Sequence, residues 1–101
     1  MNAVFNEAAG RWELVIAKDM DLYTVPELKK AMADCIAKKQ ADMFLNVTDM
    51  AYIDSTGLGV LVSALNRVRS YGGTMTIRGL RPHIKRIFHL TGLDGTFVLE
   101  D

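Results

Sequence analysis

The chain has 101 residues, half of them hydrophobic and 24% charged, and its 12 basic and 12 acidic side chains cancel. That length supports a single domain over residues 1–101 with one modest core, and the balanced charge argues against direct nucleic-acid binding, whose footprint is a basic excess. No apolar run is long enough for membrane insertion, the start lacks the basic and apolar regions of a secretory leader, and Cys35 has no partner for an internal disulfide, so a cytoplasmic location is expected.

In chain order, Ala3–Glu7 is a short strand candidate, Ala8–Arg11 a turn, and Trp12–Ala17 a second strand rich in β-branched and aromatic types. The two should form an antiparallel hairpin. The charged loop Lys18–Asp21 follows, with Met20 as its one apolar residue. Thr24-Val25-Pro26-Glu27 predicts a helix start: Thr24 as N-cap, Glu27 completing a capping box, Pro26 in the first turn, and a Tyr23–Leu28 staple. Val25, Leu28, Met32, Cys35 and Ile36 share one helical face, so Cys35 reads as a buried small hydrophobe. Met43–Val47 is nearly all apolar, as a central strand covered on both faces would be, with Asn46 as a hydrogen-bonded exception. Leu58–Tyr71 is amphipathic and ends at Gly72-Gly73. Thr74–Ile77 is a further strand, a short helix opens at Pro82 and ends at Gly92, and Thr96–Leu99 closes the chain as a strand.

The resulting order is β-β-α-β-α-β-α-β. Right-handed crossovers then give an α/β fold: a mixed sheet of four to five strands packed against three to four helices. The loops Lys18–Tyr23 and Thr48–Ser55 both leave the carboxyl ends of strands, where sites form in open α/β sheets. Asp19, Asp21, Asp49, Asp54 and Ser55 are therefore expected at one rim, beside Met20 and Met50.

Ser55 stands at the centre of that rim, at the start of the second helix. A helix start carries unpaired N–H donors and the positive end of the dipole. Ser55 reads either as a plain N-cap or as the carrier of a phosphate, which the same geometry accommodates. Other chemistries fit less well. A serine nucleophile needs a base, and the only histidines, His83 and His89, lie in or near the third helix; the G-x-S-x-G elbow is absent. The aspartates match no metal-binding loop, and Gly57 and Gly59 lack the rest of a phosphate loop. No catalytic residue, cofactor or metal is expected.

The run Tyr52-Ile53-Asp54-Ser55-Thr56-Gly57-Leu58-Gly59-Val60-Leu61 resembles the signature of STAS domains, the sulfate-transporter and anti-sigma-factor-antagonist family. Asp21–Leu28 is similar to that family's first loop and helix, Arg69–Gly73 to the end of its second helix, and Ile84–Leu93 to its closing helix. The resemblance is to small, free-standing bacterial anti-sigma factor antagonists. It implies a non-enzymatic switch that binds an anti-sigma factor with serine kinase activity, is released when phosphorylated, and is restored by a PP2C-type phosphatase. The position implied for the phosphate is Ser55, with Asp21, Asp54, Thr56 and Gly57 around it. Asp19, Met20, Asp49, Met50, Tyr52 and Leu58 are expected to face the partner, with core packing as the alternative for Met50, Tyr52 and Leu58 and the preferred one for Leu58. Where the family often has Gly-Glu in the first loop, this chain has Lys18-Asp19. The alternative within the family is a scaffold subunit of a stressosome or membrane transporter complex.

Overall fold

A computed structural model describes residues 1–101. Seven strands and three α-helices follow in chain order: β1 (Ala3–Asn6), β2 (Arg11–Val15), β3 (Asp19–Met20), α1 (Val25–Lys38), β4 (Asp42–Asn46), β5 (Tyr52–Ile53), α2 (Ser55–Ser70), β6 (Met75–Arg78), α3 (Pro82–Leu90) and β7 (Val98–Glu100), with a 3-10 turn at Leu93–Gly95. The main sheet has the strand order β1-β2-β4-β6-β7. β1 pairs antiparallel with β2, and every later pair is parallel. The expected alternation of strands and helices is thus the main sheet's own connectivity.

Each crossover moves one strand along the sheet in the same direction. Right-handed connections then carry α1, α2 and α3 to the same face. One core forms between that face and the helices. Leu14, Met43, Leu45, Met75 and Ile77 supply the sheet side, while Leu28, Met32, Leu61, Leu65, Val68, Ile84 and Phe88 supply the helix side.

The opposite face has no helix. Val4, Val15 and Val98 are exposed there, and Phe44 is buried outside the core, beneath the Arg11 guanidinium at 4.0 Å from its ring. The expectation that the central strand is covered on both faces is therefore corrected. The apolar run suggests two-sided burial, but a cation stacked on an aromatic ring covers the outer residue. Arg11 is held in turn by Glu13, at 2.8 Å, and this bond, with one from Asn6, keeps the Glu13 carboxyl below the usual range.

Two local expectations at α1 also change. Thr24 makes no capping bond to the helix, and Tyr23 is 89% exposed, so neither the capping box nor the staple forms. Asp21 organises the turn instead: its Oδ1 accepts from the N–H groups of Tyr23 (2.9 Å) and Thr24 (3.2 Å), and its carbonyl accepts from Val25 at 2.9 Å. Glu27 pairs with the amino group of Met1. At the other end of the sheet the Trp12 indole donates to the Lys39 carbonyl at 3.0 Å, tying β2 to the end of α1.

Cys35 faces the core at 3% exposure, and burial pushes its thiol pKa upward. A thiol-reactive disulfide reagent should therefore leave the folded protein unlabelled, and labelling should rise in step with denaturant unfolding. Fast labelling of the native chain would show instead that α1 opens locally.

Candidate functional site at the start of α2

The rim is built by a second, two-stranded sheet that the sequence does not announce. β3 and β5 pair in parallel, Asp19 opposite Tyr52 and Met20 opposite Ile53. The Lys18 carbonyl accepts from Ala51 at 2.7 Å, and the Met20 carbonyl accepts from Asp54 at 3.1 Å. These bonds fasten the loop after β2 to the loop after β4. The segment from Ala51 to Asp54 is therefore tied to the first loop at both ends before α2 begins.

Asp54, not Ser55, is the N-cap. Its Oδ1 accepts from the Gly57 N–H at 2.9 Å, and its backbone is extended, as a cap requires. Ser55 is the first helical residue, so the helix starts three residues earlier than its apolar periodicity indicates. The shift frees Ser55. Its side chain is exposed and makes no hydrogen bond within the chain, and the N–H groups of Ser55 and Thr56 have no backbone partner. A hydroxyl beside unsatisfied donors at the positive end of a helix is open to modification, and the attached anion would meet favourable dipoles.

Gly57 explains why the motif needs a glycine here. A Cβ at this position would lie 2.5 Å from the Met20 carbonyl oxygen and 2.6 Å from Met20 Cγ. The helix packs directly on β3, and the clashing oxygen is the one that already accepts from Asp54.

The structure divides the expected partner-facing residues. Met20 and Met50 are each only 1% exposed and belong to the core, which corrects their placement on the surface. The reason is the β3–β5 ladder: its pairing turns Met20 inward beside Ile53. Leu58 packs against the core from the first turn of α2. Tyr52, 52% exposed, stays available, as do Asp19 and Thr56. Asp21 is half-buried and spent on the α1 turn. Asp49 is exposed, but lines a hollow on the open side of the sheet with Val15, Phe44 and Asn46. The rim aspartates do not converge, and no group of three or more His, Cys, Asp or Glu side chains is gathered to hold a metal ion.

The histidines are engaged elsewhere. His83 Nε2 lies 2.9 Å from the Ala51 carbonyl, bracing the loop before α2 against α3, and His89 Nδ1 lies 2.8 Å from Asp94. The His83 brace was missed in the sequence because it joins residues 32 apart through a backbone carbonyl. The cations Lys29 and Arg67, which flank a groove running from Ser55 between α1 and α2, were missed too. They sit among charges that read as a solvated helix surface.

An α/β domain with a free serine at the start of its second helix, behind a capping aspartate, defines a class of non-enclosed surface sites. The chain belongs to the STAS domain family, which it matches over residues 6–101. It is 33% identical over 82 residues to an anti-sigma-B factor antagonist of Staphylococcus aureus, covering 81% of this chain and 76% of that one. It is 36% identical over 78 residues to the Bacillus subtilis protein of the same name, covering 77% and 71% of the two chains. Among solved structures, a protein of Thermotoga maritima provisionally assigned as an anti-sigma factor antagonist superimposes with a TM-score of 0.88 at 25% identity, covering 99% of this chain and 85% of that one. No helix is long and apolar enough to cross a membrane.

Replacing Asp54 by Ala should cost about 1 kcal/mol through loss of the cap, while Asp54→Asn should keep most of it. Gly57→Ala should be worse despite the better helix propensity of alanine, because the clash falls on a backbone oxygen that cannot rotate away; about 1–3 kcal/mol is expected. Thermal unfolding of the three variants checks both, and a Gly57→Ala protein as stable as the parent would refute the close approach.

Proposed function

We infer that this chain is an anti-sigma factor antagonist whose binding is set by phosphorylation of Ser55. The observation that carries the reading is the exposed, unbonded Ser55 hydroxyl at the first position of α2, inside the family's motif. The unphosphorylated rim binds an anti-sigma factor with serine kinase activity and so frees a sigma factor. Phosphorylation ends the complex, and a PP2C-type phosphatase restores it. The protein acts without catalysis of its own, in the cytoplasm, and reaches transcription through its partner without touching nucleic acid. The engaged histidines support the non-catalytic reading, since neither is bonded to Ser55.

The charge arithmetic supports release without refolding. A phosphoserine adds about −1.5 to −2 charges. Against one partner carboxylate at about 4 Å in water this is roughly 2 kcal/mol of repulsion, more than tenfold in affinity. Within the domain, the dipole of α2 and its two free N–H groups offset part of the new charge.

Ser55→Ala should therefore bind the host's anti-sigma factor constitutively, and Ser55→Asp, with one charge in place of nearly two, roughly fivefold more weakly, as titration calorimetry would read. Mass spectrometry of the protein from growing and stressed host cells should place one condition-dependent phosphate on Ser55. Equal binding by all forms, with Ser55 unmodified throughout, would leave a scaffold subunit as the better account.

A further inference from the structure

A groove of about 270 Å³ runs between α1 and α2, away from the open sheet face. Its floor is apolar, formed by Met32, Ile36, Val60 and Ala64. Ser55 and Thr56 close one end, and Lys29 and Arg67 stand on its two helices. From Ser55 to Arg67 the wall follows α2 for about 18 Å at the helical rise. Five ion pairs form in the chain, and neither Lys29 nor Arg67 is in any of them. No carboxylate lines the groove.

We propose that this groove receives an amphipathic helical segment of the anti-sigma factor, with apolar side chains on one face and acidic residues that pair with Lys29 and Arg67. The length and the apolar floor suit a helix laid in a groove. The charges select an acidic segment, because a basic one would meet two cations and no anion. This rests on the Ser55 reading and gives it a physical cause. A phosphate on Ser55 stands at the mouth of the groove that Lys29 also lines, and turns that end repulsive for the acidic segment. Specificity then resides on the two helix flanks, while the switch resides at the rim.

The test is titration of the unphosphorylated chain with its host's purified anti-sigma factor. Lys29→Glu and Arg67→Gln should each weaken binding at least tenfold, whereas Lys30→Glu, one position round α1, should stay within twofold. Gly59→Leu should also abolish tight binding by filling the groove; a Cβ there meets no atom within 4 Å, so the fold has room for it. Should that variant unfold, the exposed Lys29→Glu decides alone. An acidic-to-lysine change in the partner that restores binding to Lys29→Glu would identify the docked segment. Parent-like binding by Lys29→Glu and Arg67→Gln, with Ser55→Asp still released, overturns the groove and keeps the switch. Failure of the unsubstituted chain to bind overturns both.

Discussion

The rim rests on two residue pairs of parallel ladder. β3 and β5 are too short to be stable alone, yet they join the loops leaving β2 and β4 and present the Met20 carbonyl to Asp54. The N-terminus of α2 then packs on that carbonyl at a distance only glycine permits. The start of α2, the loop before it and the first loop are thus tied together. Ser55 follows directly on this tied segment, so a charge placed on its exposed hydroxyl breaks none of these bonds. His83 adds a third tie, from α3 to the Ala51 carbonyl on the same loop.

Much of the architecture was legible in the sequence because the main strands and helices have strong periods. Val25, Leu28, Met32, Cys35 and Ile36 repeat at helical spacing, and all five are buried. Gly72 and Gly92 end their helices in left-handed backbone, as their positions suggested. What was not legible depends on tertiary pairing. Met20 and Met50 sit in loops with no period, so only the β3–β5 ladder and the core beneath it reveal that both point inward. Residues Tyr52-Ile53 and Asp19-Met20 are too short to carry an alternation signal. Phe44 was misplaced for the opposite reason: its strand has a strong apolar signal, and the side chain covering its outer face is that of Arg11, on a strand far earlier in the chain.

The candidate site was legible as a motif, but the roles within it were not. Sequence spacing favoured Ser55 as cap because serine caps well. Aspartate caps equally well, and Asp54 is the residue whose backbone is extended. The difference is functional. A serine whose oxygen accepted from the helix would have to give up that bond on modification, losing about 1 kcal/mol. With the cap on Asp54, the serine oxygen carries no structural duty and can be modified without that cost.

This division of labour accounts for the order of residues in the motif. Asp54 must precede the helix to cap it, and its carboxylate is occupied by the Gly57 N–H. Ser55 and Thr56 then fall where the helix has unsatisfied donors and the side chains face solvent. Gly57 follows because the helix next turns toward β3, and Leu58 follows because the turn after that reaches the core. Ile53, two residues before Ser55, is buried for the same geometric reason: the chain alternates in β5 and switches to helical period at Asp54. Four of these residues are therefore fixed by folding alone, and only the two hydroxyls are free of it. A substitution at the four acts on stability first, whereas the Ser55 hydroxyl is exposed and bonded to nothing in the fold.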